Sequence, residues 1–313
     1  MKNILIILAI LTIFASCNEK TIEENGGMNI VLNYDANYSD TANIRTIISK
    51  RLDTYSLNNY SIILNNNNIY IDIPEFTDSS IIDDLLCKKG YFEIKETYDN
   101  TEISHYLTKL NEKILLNDTS ISDTTKFPLF MLLAPNTDEN GQAMSGANLG
   151  YVKSKDTAKV AGYLRQYSDL FPKDIEFAWS MQYSTDDIYI LVPIKGTENG
   201  IAPITGEMLE IAKAETNYNI NSYVVSTVFK EEYHKVWADL TRKNINKALA
   251  IIIDNMVYST PYVNSEIKNG NSQISGNFTK KEAMILAAYL NFGALDCKIK
   301  VNKIEIKEPK SVE

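Results

Sequence analysis

Between residues 28 and 96 the apolar side chains switch period repeatedly, and that switching limits the fold more than any other feature of the chain. Ile30, Leu32 and Tyr34 recur at every second residue, the pattern of a strand with one buried face. Ile44, Ile47, Ile48, Arg51, Leu52 and Tyr55 then fall on one side of a helix, with Arg51 the one charge near that face. Tyr60, Ile62 and Leu64 alternate, Asn65 to Asn68 turn the chain, and Ile69, Ile71 and Ile73 alternate back until Pro74 stops the strand. A helix over about 78–88 and a strand over Tyr91 to Glu96 complete the run. The order strand–helix–strand–strand–helix–strand predicts an α+β fold on a ferredoxin-like βαββαβ base.

The rest of the chain is also mixed. Helices are expected over about 101–116 and from Asp156 to Tyr167. Ile175, Phe177, Trp179 and Met181 share one strand face, and Ile188, Ile190, Val192 and Ile194 another, with a turn at Ser184 to Asp187 between them. Further on, the spacing predicts a short helix near 206–216, a strand near 222–228 and a long helix over 229–247. Phe229, Tyr233, Val236, Trp237 and Leu240 line one face of that helix. Leu249 to Ile253 and Met256 to Ser259 form a hairpin, and Thr279 with Glu282 is a capping box opening a helix over 280–292. A strand over 298–306 ends the body and is expected to pair with the sheet of 28–96.

The N-terminus reads as a secretory signal. Lys2 precedes an apolar run from Ile4 to Phe14 that only Thr12 interrupts, and small Ala15 and Ser16 lead into Cys17. A membrane span needs roughly 20 residues, so this run is too short to be one. A cysteine at the junction resembles a lipobox, with Phe14 where leucine is more usual, so residues 1–17 are expected to be a lipoprotein signal with Cys17 the acylated residue. Residues 18–27, polar and ending in two glycines, read as a flexible tether. The expected location is the cell envelope, with the body in the periplasm and the inner or outer membrane left open.

Composition excludes several functions. A net charge of -9, with no clustered lysines or arginines, argues against nucleic acid. Cys87 and Cys297 are expected to be free thiols, and His105 and His234 solvated surface residues outside any metal-ligand spacing. No nucleophile elbow, phosphate-cradling glycine loop or dinucleotide fingerprint occurs, so no catalytic residue, metal or cofactor is expected. Asp40-Thr41-Ala42, Asp123-Thr124-Thr125 and Asp156-Thr157-Ala158 resemble a Bacteroidetes O-glycosylation motif, at a length that chance also supplies.

The most specific signal lies in 244–295. A strand ending in Asp254 leads into Val257-x-Ser259-x-Pro261, then Ile274-Ser275-Gly276-x-Phe278-Thr279, then Gly293-Ala294-Leu295. Thr205 to Leu209 and Gly90-Tyr91-Phe92-Glu93-Ile94 add to it. This pattern resembles the first periplasmic domain of SecD, most closely the fused SecDF of Bacteroidetes, over about 28–308. Asp296 departs from it, standing where the family has proline. The family's transmembrane helices are not found, and a lipid is expected in place of the first of them. The resemblance implies a base formed by 28–98 and 296–310, a first inserted α/β region at 99–200 and a head-like subdomain at 201–295. It further implies a non-catalytic module whose partners are exported unfolded polypeptides or translocon components. Tyr258, Tyr262 and Phe278 are candidate polypeptide contacts because they are aromatic and near turns, and core packing competes for each. The alternative is a repurposed envelope interaction protein unrelated to export.

Cys17→Ala is expected to abolish acylation and to move the protein out of the membrane fraction. The mass of the N-terminal peptide and cell fractionation check this, and an acylated variant that fractionates unchanged rules the anchor out.

Overall fold

The computed structural model describes residues 20–35, 40–117, 127–180, 187–217 and 222–310, apart from the side chain of Asn277. The expected signal segment with Cys17, residues 18–19 of the tether, the loop carrying Thr124, and Met181 with most of the 184–187 turn lie outside these.

Along the chain, α1 (Ile22–Asn25) precedes β1 (Gly27–Tyr34), α2 (Thr41–Thr54), β2 (Ser61–Asn65), β3 (Asn68–Pro74) and β4 (Phe92–Glu96). Then come α3 (Asn100–Asn117), β5 (Leu133–Pro135), β6 (Gly150–Lys153), α4 (Ser154–Gln166), β7 (Ile175–Ser180) and β8 (Ile188–Lys195). The last third holds β9 (Ile204–Thr205), β10 (Leu209–Asn217), β11 (Ser222–Phe229), α5 (His234–Lys243), β12 (Leu249–Ile253) and β13 (Met256–Ser259). Finally come β14 (Asn271–Phe278), α6 (Lys280–Phe292) and β15 (Ile299–Lys307). The architecture is α+β, with three sheets among the described residues.

The base sheet runs β15-β1-β3-β2, antiparallel throughout. The alternation read from sequence places its buried face: Met28, Ile30, Leu32, Ile69, Ile71 and Ile73 are at most 1% exposed, under Ile44, Ile48 and Leu52 of α2. Burying each such side chain stabilises by roughly 1.5–3 kcal/mol. The β2–β3 turn places Asn66 and Asn67 at φ 48° and 61°, left-handed values that asparagine tolerates well. The terminal strand pairs with β1, Gly27 opposite Lys307 and Tyr34 opposite Ile299.

Six sequence expectations need correction here. The strand at 91–96, expected to complete the base, instead lies in an eight-stranded sheet ordered β5-β6-β8-β7-β13-β12-β4-β9. Phe92, Glu93 and Ile94 are all buried, so β4 is covered on both faces and cannot be a one-sided base strand. Its place beside β1 belongs to β15. The boundary drawn at 200 also dissolves, because that sheet takes β5–β8 from before it and β9, β12 and β13 from after it.

Residues 209–217 are not a helix. They pair with β11 along their length and form one edge of the three-stranded sheet β10-β11-β14. Alanine, glutamate and lysine favour a helix locally, and pairing with the β-branched β11 overrides that preference. The long helix is shorter than expected: Phe229 ends β11, and its ring stacks on Trp237 at 4.8 Å.

Residues 20–27 are not a loose tether. Thr21 caps α1, Ile22 is 7% exposed, and Lys20 pairs with Glu75 at 2.6 Å.

One buried cation joins the base to the inserted body. Arg51 is fully buried, and its guanidinium donates to the carbonyls of Leu85 (3.2 Å), Lys88 (2.7 Å) and Lys89 (2.6 Å). A 3-10 turn at Ser79–Ile81 and a π turn at Asp83–Cys87 replace the expected helix, and the chain leaves them with the Lys88 and Lys89 carbonyls turned to Arg51. Burial lowers the Arg51 pKa to about 10, opposed by nearby Tyr289 and Asp254, so the group stays charged at neutral pH. Arg51→Met should therefore lower unfolding stability by about 3 kcal/mol or more, because three carbonyls lose a charged donor at once. Denaturant titration checks this, and Arg51→Lys should recover only part of the loss, since an ammonium lacks the guanidinium fork.

Candidate functional site

The motif residues of 254–293 divide into two groups once folded. Asp254, Thr279 and Gly293 shape the backbone. Asp254 and Asn255 turn the β12–β13 hairpin at φ 50° and 65°. The Asp254 carboxylate also accepts the amides of Gly90 (3.0 Å) and Tyr91 (2.9 Å). Thr279 and Glu282 form the expected capping box of α6, and Gly293 at φ 71° ends that helix.

Ser259, Pro261, Ser275, Gly276 and Phe278 instead line one cleft of about 710 Å³, together with Tyr258. Its far wall is Ile190 and Val192 of β8, with Ala147, Asn148 and Ser180. Ser259 Oγ donates to the Ser275 carbonyl at 3.2 Å and ties β13 to β14, an edge strand of the three-stranded sheet. Phe278 is 7% exposed and belongs to the core, its ring lying against Gly276. Tyr258 is half-buried, and burial raises its hydroxyl pKa, helped by Asp84, Asp254 and Glu282, so it remains a donor.

Tyr262 points elsewhere. It is 48% exposed and lines a neighbouring cavity of about 360 Å³ with Phe229, Trp237 and Ile251. Pro261 and Ser275 border both spaces, so the two adjoin. Trp237 Nε1 donates to Ser272 Oγ at 2.7 Å and fixes the indole on that wall.

Sequence reasoning missed Asn148. Its Oδ1 is buried and accepts no hydrogen bond, although the residue borders the larger cleft. An unpaired buried carbonyl costs about 1–3 kcal/mol. A loop asparagine carries no sequence signal of this kind. His105 is exposed as expected, but His234 is half-buried with Nε2 3.0 Å from the Phe229 carbonyl. Cys87 and Cys297 are free. Two of the Asp-Thr triplets have structural roles: Asp40 caps α2, and Thr157 donates to Ser154. Among the described residues no group of three His, Cys, Asp or Glu is placed to hold a metal, and no helix is long and apolar enough to cross a membrane.

Residues 197–297, which contain the cleft motif, match the family described as the SecDF P1 head subdomain. The described body is similar to the SecD/SecDF proteins over most of its length. The protein translocase subunit SecD of Rhodothermus marinus is 30% identical over 215 residues, 62% of this chain and 33% of that protein. The SecD of Rickettsia prowazekii is 25% identical over 305 residues, 90% of this chain and 57% of that protein. The chain therefore spans between about a third and just over half of these relatives. The crystal structure of SecDF in its super-membrane-facing form superposes with a TM-score of 0.50 at 20% identity, covering 92% of this chain and 31% of that one. That likeness supports the fold.

Gly276 should be a sensitive position in this P1-head-like subdomain. A Cβ there would lie 2.5 Å from Phe278 Cζ, so Gly276→Ala must displace a core ring. A loss of about 1–3 kcal/mol is expected from thermal or denaturant unfolding. Gly162→Ala, inside α4 with nothing within 4 Å, should stabilise by about 0.5–1 kcal/mol instead.

Proposed function

We propose that this protein is a lipid-anchored, non-catalytic envelope component that holds exported polypeptide in an extended form, in the cleft between β14 and the β7–β8 hairpin. The observation that carries this reading is the convergence of Ser259, Pro261, Ser275, Gly276 and Phe278 on one cleft that Asn148 also borders. β14 offers a sheet edge along which an extended chain can pair, and neighbouring Tyr258 and the second cavity offer apolar surface for side chains. The matched relatives are named protein translocase subunits, which supports a partner from that process, an exported chain or the translocon. Cys17 supplies the membrane anchor, and the body works in the periplasm.

The test is titration of a reduced, unfolded secretory polypeptide against the purified body and two variants, with no nucleotide or metal added. Binding should be weak and reversible, because the captured chain loses conformational entropy. Asn148→Leu should weaken it about fivefold to tenfold, the equivalent of roughly 1 kcal/mol for one lost hydrogen bond. Tyr258→Ala should do likewise. No binding at high micromolar concentration overturns the holding role in favour of the repurposed interaction module. Binding that both variants leave unchanged relocates it away from this cleft.

A further inference from the structure

The smaller cavity, beside the cleft, has the lining of a ligand site. Ile94 of β4 and Ile251 of β12 line it from the eight-stranded sheet, Phe229 of β11 and Ile274 of β14 from the three-stranded sheet, and Trp237 from α5. None of these five is more than 6% exposed. Among the described residues that line the cavity, none is charged.

Size and polarity narrow what can occupy it. Its volume of about 360 Å³ is more than twice the roughly 150 Å³ that, with a similar lining, binds benzene. Benzene is the ring of one phenylalanine, so a single side chain of a held polypeptide reaches in from the rim without filling the interior. Protein cores otherwise leave few voids larger than a water molecule. Water is a poor filling here, because an ordered water needs about two to four polar partners and the hydroxyls on the walls are engaged. Thr241 Oγ1 donates to the Trp237 carbonyl at 2.9 Å and accepts from Ile267 N at 3.0 Å. Ser272 Oγ accepts from Trp237 Nε1 at 2.7 Å and retains its own proton to donate.

The mouth is already formed. Tyr262 and Ser265 are exposed at the rim, on the segment that follows β13. That segment is pinned along its length: the Pro261 carbonyl accepts from Leu249 N at 3.0 Å, and Val263 N donates to the Lys247 carbonyl at 2.9 Å. The Val263 carbonyl accepts from Asn246 N at 2.8 Å, and Ile267 N is held by Thr241. A rim fixed in this way needs no ordering before a ligand enters.

We propose that this cavity binds a small, uncharged, hydrocarbon-rich molecule about the size of two aromatic rings, with one acceptor directed at the Ser272 hydroxyl. A charged ligand would lose its hydration with no counter-charge on the walls. The site does not depend on capture of polypeptide in the larger cleft.

The probe is benzophenone, two aromatic rings joined by one carbonyl, which inserts into nearby C–H bonds when irradiated in the near ultraviolet. It is titrated into the purified full-length protein and irradiated, and the adducts are mapped by peptide mass spectrometry. Adducts should saturate and concentrate on the peptides carrying Ile94, Trp237 and Ile251. Ile251→Phe and Leu249→Phe each fill part of the space, so each should lower that labelling severalfold with the melting temperature unchanged or raised. Labelling spread over exposed apolar side chains such as Leu116 and Met131, with no excess on the cavity peptides, overturns the site. Cavity labelling that both variants leave unchanged does the same. A melting temperature that falls in both variants means that the space is not there, and overturns the proposal independently of any labelling.

Discussion

Residues 88–91 are gripped from two sides by opposite charges. Arg51 takes the carbonyls of Lys88 and Lys89, while Asp254 takes the amides of Gly90 and Tyr91. Tyr289 of α6 lies against the guanidinium, 5.1 Å from ring centre to Cζ, and its hydroxyl donates to the Asp84 carbonyl. Gly90, at φ 76°, has no room for a side chain, because a Cβ would meet Arg51 Nη2 at 2.7 Å. Four elements distant in sequence, α2, the 79–87 turns, α6 and the β12–β13 hairpin, are fixed through this one connector. A charge held by carbonyls costs less to bury than a bare one, and nearby Asp254 offsets part of the rest.

The cleft follows from that junction. The clamp orients Asp254, and Asp254 is the turn from which β13 departs toward Tyr258, Ser259 and Pro261. Downstream of the same connector, β4 enters the eight-stranded sheet beside β12 and aligns Glu96 with Leu249 and Phe92 with Ile253. Pro261 then folds back, its carbonyl accepting from Leu249 N at 3.0 Å. One wall of the cleft is therefore set by the base junction, and the opposite wall by the β7–β8 hairpin. Those walls come from parts of the chain separated by roughly 70 residues, and the short parallel contact of Met256 with Trp179 and Val257 with Ser180 is what brings them together.

What the sequence made legible was local. The alternations of 28–34 and 60–74, the 249–259 hairpin and the α6 capping box each depend on neighbours a few residues apart, and each folds as its spacing predicts. Arg51 stood out as a charge on an apolar face and Asp254 as a motif residue, but only folding showed that they hold the same connector. The partner of β4 and the strand character of 209–217 depend on pairings across the chain, which no local period encodes. The docking of 20–27 was within reach: Thr21 and Glu24 have capping-box spacing, with apolar Ile22 between them, and Thr21 does cap the amide of Glu24. Glycines and charge nearby obscured it.

The chemistry of the cleft also bears on what it can discriminate. Glu282 is the one carboxylate among its lining residues, and it is already engaged, accepting from Thr279 N and Oγ1 at 2.9 Å each. The remaining polar groups are hydroxyls, backbone and the Asn148 amide, and the apolar ones are aliphatic or aromatic. A surface whose one carboxylate is tied to a helix cap has little with which to select a partner by electrostatic complementarity. It can still offer hydrogen bonds to a main chain and contact to any side chain of modest size, and such contacts are nearly indifferent to sequence. The cost is affinity, because few strong anchors compensate for ordering a mobile chain. Tolerance and weakness therefore come from the same composition, which suits a cleft that must release each segment as readily as it takes it.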